Sequence, residues 1–294
     1  MNLANQLKNR LPYPFETIAV AVTFSPRYKA VLSEAARISR IHRAKLLLIH
    51  VGALTTQQNR KLEIVIEACH IKPEHYEIKQ LQGSVVQSIL KVCKENVVDL
   101  LILGALKKES VLQHYVGSIA RKISRTAKFS ILLLPDPKER PKRFKNVVVA
   151  INDSPKSSFT LSSSVYISNI ENATELYIVN EEYIPMFESA YADSSTDKEI
   201  EENKKEAITE RKEKTNKLLD EIPGASSIDI KQRVIFGKPG HSIQVFSKCK
   251  KPDLLLVNSP KKTLGFLDRL FPNHLEYLLE DLPCNLLIVH SRGF

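Results

Sequence analysis

The chain has 294 residues, 43% of them hydrophobic and 26% charged, with a formal net charge of +10. That length holds one large domain or two ordinary ones, and the balance is that of a globular protein rather than a disordered tail. No apolar stretch reaches the roughly 20 residues needed to span a bilayer. The first fifteen residues lack the apolar core of a secretory signal. Four cysteines (Cys69, Cys93, Cys249, Cys284) show neither a CxxC pair nor a histidine at metal-ligand spacing, so buried thiols in a reducing cytoplasm are the expectation.

The elements follow in chain order. Leu3, Leu7 and Leu11 are four apart, the spacing of a short amphipathic helix. Thr17 to Val22 is a β-branched run suited to a buried parallel strand, and Phe24-Ser25-Pro26 turns the chain, with Ser25 as N-cap and Pro26 at the first helical position. Ala30 to Ile41 has helical spacing, Leu46 to Val51 is a strand, and Thr55 to Ala68 a helix. Tyr76 to Leu81 reads as a strand, Gly83 interrupts, and Val85 to Cys93 is helical. Leu100 to Leu103 then ends at Gly104; a polar loop leads to Gly117-Ser118, which opens a helix, and Ile131 to Leu134 closes the unit. Strands alternating with helices define a parallel sheet covered on both faces. The last strand–loop–helix has the layout in which such sheets bind anions, with Lys107, Lys108, Arg121 and Lys122 nearby.

Three prolines among charges, PDPKERPKRF, form a linker, and the pattern restarts. Aligned on Ser25-Pro26 and Ser154-Pro155 the offset is 129; DLLLV at Asp253 lies on DLLIL at Asp99 at an offset of 154, which also superposes Gly237 on Gly83 and Lys261 on Lys107. The chain is a tandem duplication. The difference is an insertion of 25 residues within 181–206, beside a charged helical segment from Asp197 to Glu221 with Glu201–Lys205 and Glu210–Lys214 pairs. Residues 1–140 carry 22 Lys+Arg against 11 Asp+Glu, and residues 141–294 carry 21 against 22. The basic first half suits an anionic ligand, or is simply a solvated surface. Without aromatic interleaving or a reader motif, nucleic acid and membrane are the least supported partners.

Each half resembles a universal stress protein domain, through the AVTFSP and AINDSP strand–turns, the LLLIHV and ELYIVN second strands, the Gly83 and Gly237 turns and the final unit. The resemblance implies an α/β fold of two tandem domains of the adenine nucleotide α-hydrolase-like type, at 13–136 and 144–291, each a parallel sheet of about five strands flanked by helices. Nucleotide-binding members carry Gly, two residues, Gly, nine residues, then Gly and Ser or Thr. The first half keeps Gly104, Gly117 and Ser118 at that spacing, with Lys107 for the second glycine, and Thr23 stands where the family has a nucleoside-contacting aspartate. The implied nucleotide site is Val22, Thr23, Val51, Gly104, Ala105, Lys107, Gly117, Ser118 and Ile119, for ATP or AMP, with Mg as a companion ion and no metal-binding side chains.

In the second half Asn258, Lys261 and Phe271-Pro272 replace the loop residues, and proline offers no amide. Lys107 is shared with that half, so the site rests on Gly104, Gly117 and Ser118. The implied role is a stress-response or signalling module binding in the first half only. The competing reading is a ligand-free interaction scaffold. There is no GxxxxGK[ST], HExxH, GxSxG or GxGxxG and no nucleophile–base pair, so no chemistry beyond slow ATP hydrolysis is expected and no catalytic residue is assigned. Asp99 and its counterpart Asp253 read as structural caps and His50 as a structural strand residue; His114 lies in the loop. In the family, domains pair through the last strand, here Ile131 to Leu134 and Leu286 to Val289; the two runs can pair with each other or leave surface for a homodimer.

Overall fold

The computed structural model describes residues 13–107, 114–183, 196–260 and 274–290. The expected Leu3–Leu11 helix, Lys108, Lys261 and Phe271-Pro272 lie outside them. The first half runs β1 (Thr17–Ala21), α1 (Tyr28–His42), β2 (Lys45–Val51), α2 (Thr56–Ala68), β3 (Tyr76–Leu81), α3 (Val85–Glu95), β4 (Leu100–Gly104), a ribbon of β5 (Leu106–Lys107) and β6 (His114–Tyr115), α4 (Ser118–Thr126) and β7 (Ser130–Leu134). The second half repeats this as β8 (Asn146–Ile151), α5 (Ser157–Glu171), β9 (Glu175–Glu182), α6 (Thr196–Asp220), β10 (Ile230–Phe236), α7 (His241–Lys250), β11 (Leu254–Asn258), α8 (His274–Glu280) and β12 (Asn285–Val289).

Ten strands form one sheet in the order β10-β9-β8-β11-β12-β7-β4-β1-β2-β3, five from each half in the same internal order. Within each half the pairs are parallel. The halves meet where β12 and β7 pair antiparallel, with Leu286, Leu287 and Ile288 opposite Leu133, Leu132 and Ile131. The two terminal strands of the sequence reading therefore do pair with each other.

The strands form because their apolar runs are buried on both faces, as two-sided helix coverage requires. Ile18, Val20, Leu46 and Leu100 face one core and Ala19, Leu47 and Leu101 the other. Each core continues across the seam into the second half. The duplication extends to backbone detail. Arg43 after α1 and Asn172 after α5 both end their helices in the left-handed conformation, φ 54 and 51. Val97 after α3 and Lys251 after α7 do the same at φ 50 each. As expected, Asp99 is structural: its Oδ2 accepts from the amides of Glu16 (2.7 Å) and Thr17 (3.0 Å), and Asp253 does so for Lys145 and Asn146.

A buried charge cluster ties the halves on the α1–α5 side. Arg37 of α1 donates to both oxygens of Glu171 on α5 at 2.9 and 2.8 Å and to Glu34 at 2.7 Å. Its guanidinium also lies 4.8 Å from the centre of the Phe144 ring. Nearby, His42 packs between Phe15 and Tyr166, and Tyr166 stacks on Tyr13.

Three local expectations change. Helix α1 starts at Tyr28 with Arg27 at its N-cap and no side-chain cap, not at Ser25-Pro26. Helix α6 has 25 residues against 13 in α2, so part of the insertion is helix; its 184–195 portion lies outside the described residues. Of the cysteines Cys93 is buried, burial holding its thiol up at about 12, Cys69 and Cys284 are partly exposed, and Cys249 is exposed.

Candidate functional site at the carboxyl edge of the first half

Because β2, β1 and β4 are neighbours, their ends bring Val51, Val22-Thr23 and Gly104-Ala105 together at one edge of the sheet. Val22 is buried and extends β1, its amide donating to Ile49 O at 2.8 Å; Thr23 is exposed. Gly104 ends β4 opposite Leu134, and the amide of Ala105 is committed to Leu134 O at 2.9 Å. A Cβ on Gly104 would sit 3.0 Å from Cγ2 of Val31 on α1. The glycine thus lets α1 approach the strand, a packing demand distinct from the phosphate approach expected of it.

The loop after Ala105 is a β-ribbon, Leu106 opposite Tyr115 and Lys107 opposite His114, so the chain returns near its departure point. The side chains of Lys107 and His114 lie outside the described residues. Gly117 then caps α4 at φ −59 and ψ 160 without a side-chain cap bond, and Ser118 and Ile119 are exposed in its first turn. Amides in a first helical turn lack intrahelical partners and carry the positive end of the helix dipole, so these three residues offer donors to an anion.

Of the expected basic residues, Arg121 turns away. It pairs with Glu276 of α8 at 3.3 Å and Arg125 joins it at 2.8 Å, tying α4 across the seam. Val116 N donates to Leu279 O at 3.0 Å in the same junction. A cation that reaches the edge was not singled out from sequence: Arg27 donates to Pro135 O and, at 2.8 Å, to Ala105 O, bracing the loop's departure point.

The second half offers an internal comparison. At the 129 offset Lys156 lies on Arg27 and braces the matching loop through Pro260 O (2.7 Å) and Ser259 O (3.1 Å). Asn258 takes the place of Gly104 and Thr160 that of Val31. The Asn258 side chain accepts from Thr160 Oγ1 at 2.5 Å and donates to Asn152 Oδ1 at 3.1 Å and Ser157 Oγ at 3.0 Å. A polar plug thus fills the edge where the first half has a glycine. Beside it Arg211 of α6 bridges Asp153 and Glu182, and its hydrogen bond holds the Asp153 carboxyl below its usual range. Glu181, its acidity weakened by burial, caps α7 through the amides of Gly240 (2.9 Å) and Ile243 (2.8 Å). The repeat offset was the signal that could have revealed the plug partners Thr160 and Ser157.

A parallel α/β sheet of order 3-2-1-4-5 in each half, with a glycine-bearing strand end beside a helix start, defines a tandem protein of the helix-covered parallel α/β class. The universal stress protein family model matches residues 52–135 and 143–290, and the chain belongs to that family. A universal stress protein from Pseudomonas aeruginosa UCBPP-PA14 is 15% identical, covers 94% of this chain and 93% of that one, and superposes with a TM-score of 0.68. One from Archaeoglobus fulgidus DSM 4304 is also 15% identical, over 94% and 96%, at 0.64. No curated protein matches the sequence. Among the described residues no helix is long and apolar enough to cross a membrane, and no group of three or more His, Cys, Asp or Glu could hold a metal ion.

Proposed function

We propose that this protein is a stress-response module that binds an adenine nucleotide, ATP or AMP, at the carboxyl edge of the first half only. Its two units span 13–136 and 144–291. The second unit serves as a structural partner. The observation that carries the reading is the exchange of Gly104 and Val31 for Asn258 and Thr160: the second edge is closed by its own hydrogen-bonded side chains, whereas at the first Gly104 packs against Val31 and no such polar plug is present among the described residues. The phosphates would take the amides of Gly117, Ser118 and Ile119, where the α4 dipole favours negative charge. Val22, Thr23 and Val51 would meet the nucleoside. Any Mg would be carried by the phosphates.

The scaffold reading keeps one supporting observation. The Ala105 amide and carbonyl are already spent on Leu134 and Arg27, which leaves fewer backbone groups for a ligand. Titration calorimetry with ATP separates the two. Gly117 has φ −59, which any residue adopts, so Gly117→Val leaves the backbone unstrained while obstructing close approach. Binding by the wild type that is lost in Gly117→Val is expected. Equal affinity in both, or none in the wild type, refutes the assignment.

A further inference from the structure

The nucleoside end of the same edge contains a group that the glycine loop does not explain. Nδ1 of His50, near the end of β2, lies 3.0 Å from Val22 O. A carbonyl oxygen only accepts, so Nδ1 is the donor, and in the Nδ1–H tautomer Nε2 presents a lone pair. That Nε2 has no hydrogen-bond partner among the described residues. It lies 3.6 Å from where a Cβ on Gly52 would sit, beside Val51 at the strand end. The Phe24 ring meets the imidazole edge-on at 5.5 Å, and Tyr28 packs against Phe24 at 5.5 Å.

An acceptor and an apolar ring therefore stand side by side where β1 and β2 end. The second half differs here: the strand register places Asn180 at the position of His50, its amide donating to Thr215 Oγ1 at 3.3 Å, and Asp153 and Ser157 stand at those of Phe24 and Tyr28, with Asp153 bound to Arg211 and Ser157 in the Asn258 plug. The half without the polar plug is also the half that carries an imidazole held by a strand-end carbonyl and an aromatic ring beside it.

We propose that His50 and Phe24 form the nucleoside-recognition wall of the first half. Nε2 accepts a hydrogen bond from a nucleoside donor, an exocyclic amine or a ribose hydroxyl, and Phe24 supplies an apolar face to the same group. This rests on the nucleotide reading above and adds to it a reason to prefer a nucleoside polyphosphate over bare polyphosphate. Fixing the ring through Val22 O means that the acceptor is set before a ligand arrives, so little ordering accompanies binding.

The test measures ATP and inorganic tripolyphosphate by calorimetry on the full chain. His50→Phe keeps an aromatic ring against Phe24 and removes the lone pair; His50→Gln restores an acceptor. One neutral hydrogen bond corresponds to about a 2- to 10-fold change in affinity. His50→Phe should lose that factor for ATP, hold tripolyphosphate unchanged, and be partly recovered by His50→Gln. ITP lacks the amine and 2′,3′-dideoxy-ATP lacks the ribose hydroxyls; the analogue that binds more weakly and no longer responds to His50→Phe identifies the donor. Equal ATP affinity in wild type and His50→Phe, parallel loss of ATP and tripolyphosphate, or both analogues behaving as ATP does overturns the proposal while leaving the phosphate site standing. Failure of the wild type to bind either ATP or tripolyphosphate instead refutes the nucleotide reading itself.

Discussion

Replacing Arg37 by alanine probes how the two halves are held together beyond their shared sheet. The Arg37 side chain is 11% exposed, and its partners Glu34 and Glu171 are 7% and 4% exposed. Truncation strands two buried carboxylates, one from each half, without their shared cation. Breaking a buried pair in this way costs about 3–5 kcal/mol. The effect has a pH signature. Burial already raises Glu34 above its usual carboxylate range, and Arg37 works against that rise.

A carboxyl whose folded pKa is raised binds more protons in the folded state, so its stability contribution is lost as pH rises above the ordinary carboxylate value. Without Arg37 the rise is larger, and the variant should be more destabilised at about pH 8 than at about pH 5. Urea unfolding followed by circular dichroism at the two pH values measures both quantities. Adding Glu34→Gln and Glu171→Gln to the variant should recover part of the loss. A loss below about 1 kcal/mol, or one independent of pH, would refute the argument that this cluster is an electrostatically coupled tie.

Other outcomes follow from single contacts. Asp99→Ala removes the acceptor of two amides and should cost about 2–3 kcal/mol in thermal or urea unfolding, with Asp253→Ala costing a similar amount. Gly104→Ala places a methyl 3.0 Å from Val31 and should cost about 1–2 kcal/mol, relieved by Val31→Ala in a double-mutant cycle; additive effects would show that the contact is not the constraint. Burial, with the Arg37 charge second, pushes His42 down to about 4. Its contribution is therefore complete above about pH 6.5 and lost as pH falls toward 4, about 3 kcal/mol in all. His42→Leu should flatten that part of the stability–pH curve, because the buried Nδ1 it removes has no partner.

The strands were legible because each is an uninterrupted apolar run, and burial on both faces leaves that pattern no rival reading: Leu100 to Leu103 and Ile131 to Leu134 appear where the sequence placed them. The order of the halves was legible through the repeat. What escaped depends on partners distant in the chain. Arg121 read as a ligand cation because its neighbours are basic, yet its partner Glu276 lies 155 residues on. Gly104 read as room for phosphate because the loop pattern holds glycines, yet what a side chain there would strike is Val31 of α1. The Ser25 cap failed for a similar reason. Arg27, one position before the helix, is drawn to the carbonyls of Ala105 and Pro135, and the chain turns through Ser25 O to Tyr28 N before helix begins.

The antiparallel seam between β7 and β12 reverses strand direction at the middle of the sheet. The carboxyl edges of the two halves therefore face opposite sides of the molecule, and nothing placed at one edge can touch the other directly. In a symmetric pair of identical chains every substitution appears twice, so a mutation that fills one edge fills both. Fusing the copies through residues 135–144 removes that constraint. Asn258 and Thr160 stand at one edge and Gly104 and Val31 at the other, so a substitution in one chain alters one edge and leaves its twin as it was.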